Sequence, residues 1–285
     1  WAQHSGDPDL PFAEWLRTGA PAGIDLQPET VGVFPPSDKP QDQEKELTLY
    51  YDGFANYSSV DADPDAIPEV RKLLTSGFVK EFKTIQAVAN YLGAHPVVSN
   101  LAMITKNTVD KVKRRLILDC RVSGVNSQTV QHERIILPLV TDVVFDTLEM
   151  LQCSGGAFAP RFLVLDFSDA FFSVPLAMAE QKYFCFYFEG RWYVMLRVTQ
   201  GSKNGPQIFG RGSAMLGRFS QGVLDEREAR LNIYTDDPIC SIVTSKRRGD
   251  MVIVMLVLIW RALGFRLAYD KAQLGPAVDW VGHSI

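Results

Sequence analysis

The chain lacks several features that would settle its class at once. Its four cysteines, Cys120, Cys153, Cys185 and Cys240, lie far apart in sequence. That leaves no zinc-type pair and argues against a disulfide scaffold. A reducing compartment is the expectation. No apolar run approaches the roughly 20 residues of a membrane span. The longest, "MVIVMLVLIW" (Met251 to Trp260), stops at Arg261 and reads as a buried helix. The chain opens on Trp1 without a methionine or a basic-then-apolar leader. The expectation is a fragment of a longer intracellular product, not secreted and not a membrane protein. No internal repeat is visible.

One sign of charge is also missing locally. The 285 residues carry a net charge of −4, with 46% hydrophobic and 22% charged residues, the balance of a soluble globular protein with one large core or two. The total conceals a gradient. Asp and Glu crowd the first 66 residues, whereas Gly190 to Leu224 contains no acidic residue and carries Arg191, Arg197, Lys203, Arg211 and Arg218. Segment charge reports on partners better than the total does. These cations read as salt-dependent, sequence-independent phosphate contacts.

Residues 1–66 read as an irregular acidic extension, since "GAPAGI", "VFPPSDKP" and "DADPDAIP" are turn and linker compositions. "PFAEWLRTGA" predicts one short helix ending at Gly19. A helix opens at Pro68, with Val70, Leu73 and Leu74 at helical spacing and Gly77 at its end. Another is expected around Phe82 to Leu92. "RRLILDCRV" (Arg114 to Val122) and "RFLVLDF" (Arg161 to Phe167) read as strands. "YFCFYF" and "WYVMLRV" form a hairpin about Glu189-Gly190. Pro206 to Phe219 reads as a helix that Gly210, Gly212 and Gly217 weaken. "LNIY" and "ICSIV" form a second hairpin, Gly249 to Leu263 an apolar helix, and "FRLAY" and "VDWVGHSI" the closing strands. Strands and helices mix without βαβ alternation, which indicates an α+β fold.

Three carboxylates end or interrupt apolar strands: Asp166, Asp236 and Asp237. Adjacent like charges are disfavoured in a half-buried strand, yet Asp236-Asp237 sits between two of them. From composition alone the pair is equally a polar hairpin turn. Clustered carboxylates on adjacent strands otherwise suit Mg²⁺, which takes one or two carboxylates plus substrate phosphates. Bound divalent cations also relieve their mutual repulsion.

"VLDFSDAFFSVPL" (Val164 to Leu176), "VTQGSKNGPQIF" (Val198 to Phe209), "YTDD" (Tyr234 to Asp237), "LGFRLAYDKAQLG" (Leu263 to Gly275) and "WVGHSI" (Trp280 to Ile285) follow one another in order. In that order and spacing they resemble the successive motifs of reverse transcriptases of the retroelement type, including retrovirus-like and long-terminal-repeat elements. "LAMITKNTVDKVKRRLILDCRVSGVN" (Leu101 to Asn126) resembles the fingers segment of the same family. The resemblance covers roughly residues 68–285. It implies a right-hand polymerase, with fingers at about 67–129 and 177–204 and palm at about 130–176 and 205–285. The palm would be an antiparallel sheet backed by helices, and the expectation is a hand fragment with the thumb, RNase H and integrase segments missing.

The resemblance also implies roles. Asp166, Asp236 and Asp237 match the catalytic aspartates that hold two Mg²⁺ ions, with Mn²⁺ as an alternative, and Phe167 matches a position whose backbone helps carry a metal or the triphosphate. Phe171 matches the steric gate against a 2′-OH, so the substrates would be dNTPs, while Phe172 reads as a core aromatic. Gln200 and Gly201 match the pair that contacts nucleotide and template. Lys111, Lys113, Arg114 and Arg115 form a cationic run suited to a triphosphate. The family places an Arg at about Arg115 and a Lys before it, either Lys106 or Lys111. Lys271 matches a candidate proton donor to pyrophosphate. Asp119 matches an acidic position near the template, Tyr234 belongs to the motif at the primer end, and Gly282-His283 lies where the primer grip begins. The partners would be an RNA or DNA template with its primer. Pro238, directly after the aspartate pair, departs from the expected pattern and threatens the geometry of Asp237. Two further readings stand beside a polymerase of a retrotransposon-like element. One is an inactive, truncated relic that keeps a nucleic-acid-binding fold, and the other is an RNA-directed RNA polymerase.

Overall fold

The computed structural model describes residues 2–38, 46–47, 49, 54–107 and 112–285. Two short helices open the chain, α1 (Ala2–Ser5) and α2 (Leu10–Thr18). The Asp9 carboxylate accepts the Phe12 N–H at 3.1 Å and Pro11 occupies the first turn of α2, both ordinary start signals. Next come α3 (Ser58–Asp61), α4 (Ala66–Thr75), β1 (Val79–Phe82) and α5 (Ile85–Leu92). The helix expected to begin at Pro68 starts two residues earlier. The one expected from Phe82 starts at Ile85, behind Thr84, whose hydroxyl accepts the Ala87 N–H at 3.1 Å.

β2 (Leu101–Asn107) and β3 (Val112–Leu118) form an antiparallel hairpin from Leu101↔Leu118 to Asn107↔Val112. β3 stops at Leu118 rather than Val122. The Asp119 carboxylate accepts the Arg121 and Val122 N–H groups, both at 3.0 Å, and such a local bond turns the chain. After α6 (Val125–Gln128), α7 (Val140–Cys153) and β4 (Arg161–Val164) come β5 (Cys185–Phe188) and β6 (Arg191–Met195). Glu189 and Gly190 join these last two at positive φ, 48° and 70°, as a tight hairpin turn requires. The remaining elements are α8 (Gly205–Gln221), β7 (Ala229–Tyr234), β8 (Asp237–Ile242), α9 (Lys246–Ala262), β9 (Gln273–Gly275), β10 (Asp279–Trp280) and β11 (His283–Ser284).

The central sheet has the order β7-β8-β4-β9 and is antiparallel throughout. Its faces alternate with the pleat, as period-2 geometry demands. Leu163, Leu165, Cys240 and Ile242 bury against Ile208, Phe209, Leu216, Leu256 and Trp260 of α8 and α9. Phe162, Val164 and Ile239 bury on the other face, against Val143 of α7 and Trp280 of β10. A second sheet, β1-β6-β5, packs with α4 and the β2–β3 hairpin around a separate core. The α+β architecture, an antiparallel sheet backed by helices, is therefore present as expected. "FRLAY" is not a strand of the sheet. It makes the single bridge Phe167↔Leu267 and leads into a 3₁₀ turn at Tyr269–Lys271, and β9 takes the edge position instead. All four cysteines are free.

The acidic N-terminal arm corrects one expectation. Arg211 and Arg218 are not offered to a polyanion. Arg211 is 1% exposed, and Asp9, which is fully buried, grips it through two bonds, one of them Nε to Oδ2 at 2.7 Å. Its guanidinium also stacks over the Trp15 ring at 4.2 Å and donates to the Glu29 carbonyl. Arg218 makes a bidentate pair with Asp7, both bonds at 2.8 Å. Burial alone would raise Asp7, but the Arg218 guanidinium and the Asp9 N–H hold it below the usual carboxylate range. The helix-weakening glycines now have a reason. A Cβ on Gly212 would stand 2.5 Å from the Phe12 ring, and one on Gly210 2.5 Å from Ile135, so α8 gives up propensity to admit close neighbours.

Candidate active site

Asp166 lies two residues beyond the end of β4 and is held by main-chain bonds on both sides. Toward the β7–β8 hairpin, Leu165 N–H donates to the Pro238 carbonyl at 3.1 Å and Phe167 N–H to the Asp236 carbonyl at 2.9 Å. Toward the other edge, Ala268 N–H donates to the Asp166 carbonyl at 2.9 Å and Ser168 N–H to the Arg266 carbonyl at 2.8 Å. Pro238 is the second residue of β8, opposite Ile233. Its missing N–H is the one that the β4–β8 register would aim at the Leu165 carbonyl, so the regular ladder ends at Val164↔Ile239. The proline thereby costs the pairing one bond, while the Leu165 and Phe167 N–H groups still tie the Asp166 segment to the hairpin.

Thr235 and Asp236 form a two-residue turn between Tyr234 and Asp237. Thr235 has φ +56°, an outlying conformation for a β-branched residue and one that costs on the order of 1–3 kcal/mol. Two buttresses hold it there. Ser213 of α8 donates its hydroxyl to the Thr235 carbonyl at 2.6 Å, and the Trp280 indole donates to the Asp237 carbonyl at 2.9 Å. Tyr234 packs edge-on against Trp280, with ring centroids 6.2 Å apart.

The three carboxylates feel one another. Burial, and then the Asp166 charge, raises Asp236. Burial, Asp236 and Asp166 push Asp237 up to about 6, and Lys271 and Arg115 oppose the rise. Asp166 itself accepts a 2.5 Å bond from the Lys271 ammonium. Among the described residues no three acidic, cysteine or histidine side chains are gathered closely enough to hold a metal ion by themselves. The donor set is nonetheless all carboxylate oxygen, and Asp236 and Asp237 are raised first by burial and then by neighbouring carboxylates, a charge cost that a hard cation would relieve. It therefore fits an ion that takes its remaining ligands from water and substrate phosphates.

Asp166 and Asp236 line one cavity of about 690 Å³, and Asp237 stands off its wall. From β3 the cavity receives Lys113, Arg114 and Arg115, and Lys271 faces it from the 3₁₀ turn. Arg114 is tied to Asp65 by an ion pair. Phe171 lines the cavity with its ring 6.0 Å from that of Phe209, while Phe172 stacks on Phe78 at 4.7 Å. Gln200 lines it too, its carbonyl accepting the Leu118 N–H at 3.2 Å. At Gly201, φ is +106° and a Cβ would meet the Leu118 carbonyl oxygen at 1.9 Å, so only glycine lets this loop lie against β3.

Other expected site residues lie elsewhere. The Phe167 side chain is buried in the core against Trp260 and Phe265, and only its backbone borders the aspartates. Asp119 bonds the Tyr57 hydroxyl at 2.5 Å and caps its own turn, outside the cavity wall. Gly282 lies in the β10–β11 turn and His283 is exposed, its Nδ1 3.0 Å from the Val281 carbonyl. Lys106 pairs across the hairpin with Lys113. Lys111 falls outside the described residues. Sequence reasoning missed Glu69 and Lys72, which α4 contributes to the cavity. It also missed the two buttresses, Ser213 and Trp280. Only Trp280, inside a quoted motif, carried any signal.

An antiparallel sheet that aims strand-end carboxylates at a cation-lined cleft defines a polymerase-type fold. The foamy viral protease-reverse transcriptase in complex with dsDNA shares it with a TM-score of 0.59 and 17% identity over 92% of this chain and 46% of that one. The foamy viral protease-reverse transcriptase dRH with ds DNA matches at 0.54, with 16% identity, over 92% and 39%. A Prototype Foamy Virus protease-reverse transcriptase mutant matches at 0.55, with 17% identity, over 92% and 29%. The chain thus spans less than half the length of these structures. The family model for reverse transcriptase (RNA-dependent DNA polymerase) matches residues 104–285, and the chain belongs to that family. No helix among the described residues is long and apolar enough to cross a membrane.

Proposed function

We propose that this chain is the fingers and palm of an RNA-directed DNA polymerase from a retrotransposon-like element, adding dNTPs to a primer 3′-OH. Fingers of about 67–129 and 177–204 and palm of about 130–176 and 205–285 follow from that reading. The observation that carries it is the meeting of Asp166 and Asp236 with Arg115, Lys113, Gln200, Phe171 and Lys271 around one cavity.

Asp166 and Asp236, with the Phe167 main chain and Asp237 as outer support, would hold two Mg²⁺ or Mn²⁺ ions. Such a pair, when bound, activates the attacking oxygen and stabilises the leaving one. The protein's own contribution is positional. Arg115 and Lys113 neutralise the triphosphate, as cations aimed at developing charge do. The Phe171 ring fills the space a ribose 2′-OH would need. Gln200 contacts the nucleotide from a loop that Gly201 fixes against β3. Lys271 supplies a proton to the departing pyrophosphate. Asp119, Tyr234, Gly282 and His283 border the path of template and primer, which is read through shape and backbone.

Extension of an oligo(dT) primer on poly(rA) with dTTP and Mg²⁺ or Mn²⁺ tests the reading. Metal-dependent addition of dTMP is expected. No extension with either ion would favour the inactive relic, and equal use of UTP would favour an RNA-directed RNA polymerase.

A further inference from the structure

The Lys271–Asp166 contact has a consequence beyond proton donation. β4 pairs with β9 up to Val164↔Gln273 and the chain is pinned again at the Phe167↔Leu267 bridge, so the 3₁₀ turn Tyr269–Lys271 between them lies beside Asp166. The backbone fixes that meeting. Ala268 N–H donates to the Asp166 carbonyl at 2.9 Å, and Lys271 N–H to the Ala268 carbonyl at 3.1 Å. The ammonium then reaches the Asp166 carboxylate at 2.5 Å, with the lysine side chain 41% exposed and the aspartate 18% exposed. A charge-assisted bond of this length takes up an acceptor oxygen and sets a full positive charge beside it. Like charge next to a ligand weakens cation binding there. The exposed stem leaves Lys271 free to leave the contact, and both residues face the same cavity.

From this geometry we infer that Lys271 is a resident cation competing with divalent metal for Asp166, so that metal alone binds weakly. An anionic group in the cavity that draws Lys271 away opens the site. A triphosphate is such a group, and metal and nucleotide would then bind cooperatively, each favouring the other to the same degree. Lys271 thus acts as a positioning residue as well as a donor. The inference rests on Asp166 being a metal ligand.

The test is Mn²⁺ binding to the full chain without nucleotide, read from the electron paramagnetic resonance signal of free Mn²⁺. Lys271→Met should bind Mn²⁺ about tenfold more tightly than wild type, within the 5–150-fold range usual for coupled sites. Lys271→Arg should stay close to wild type. Lys271→Gln, a smaller change in polarity, should tighten binding as Met does, and Mn²⁺ should raise the melting temperature of both neutral variants more than that of wild type. Affinity unchanged or weakened in both neutral variants overturns the role given to Lys271. Asp166→Asn separates the two levels. If it abolishes Mn²⁺ binding while Lys271→Met tightens nothing, only the competition fails. If it leaves binding intact, the metal-ligand reading of Asp166 fails with it.

Discussion

Asp237→Asn should make the metal-free protein more stable while damaging its chemistry. The Asp237 carboxyl is pushed up to about 6, first by burial and then by Asp236 and Asp166, from an ordinary 3.8. A shift of about two units is worth roughly 3 kcal/mol at about 1.36 kcal/mol per unit. Asp237 is only half-buried, so solvent screening reduces this to about 1–2 kcal/mol. The direction follows from linkage. The folded state holds the proton more tightly than the unfolded chain, so folding is penalised fully above pH 6. The penalty fades as pH falls and is gone below about 3.8. Asparagine keeps the shape and removes the charge. In EDTA at pH 7.5 the variant should melt about 2–6 °C above wild type, from the usual 2–4 °C per kcal/mol for chains somewhat shorter than this. At pH 4 most of the difference should be lost. A lower melting temperature at pH 7.5, or a gain that persists unchanged to pH 4, would refute the claim that burial and neighbouring carboxylates together raise Asp237.

Arg211→Met should destabilise the chain by about 3–5 kcal/mol, because Asp9 would keep a buried charge without its partner. The double variant with Asp9→Leu should recover much of that loss in urea melts, and neither should alter the salt slope of nucleic-acid binding. Phe171→Val should raise UTP incorporation relative to dTTP in primer extension, with dTTP use retained. Gly201→Ala should cost more than the roughly 1–3 kcal/mol of an unfavourable φ, since its Cβ also meets the Leu118 carbonyl. Chemical denaturation would register it.

The residues around the aspartates were legible in sequence because local pattern and chain order carry them. The "LNIYTDDPIC" hairpin, the Glu189-Gly190 turn and the α9 helix all appear where local chemistry puts them. The arm was illegible for the opposite reason. Asp9 and Arg211 are 202 residues apart, and nothing near Arg211 in sequence tells a buried cation from a phosphate contact. The glycines of α8 were misleading in the same way. They looked like helix breakers until Phe12 and Ile135 occupied the space beside them. "FRLAY" has strand composition, but Phe265 is drawn into the core against Phe167 and Phe209, and tertiary packing overrides such propensity. Pro238 changed meaning most. It seemed a threat to Asp237, yet its carbonyl takes the Leu165 N–H and its missing donor costs one ladder bond, with the Phe167 N–H still reaching the Asp236 carbonyl.

On the function proposed above, the carboxylates of Asp166 and Asp236 serve one template-directed nucleotidyl transfer. Single-turnover addition of dTMP to a labelled oligo(dT) primer on poly(rA), with wild type and Asp236→Asn compared under saturating Mg²⁺ or Mn²⁺, tests it most directly. Addition by wild type and none by Asp236→Asn is expected, with both proteins still binding the primer–template. Equal addition by the two would contradict it.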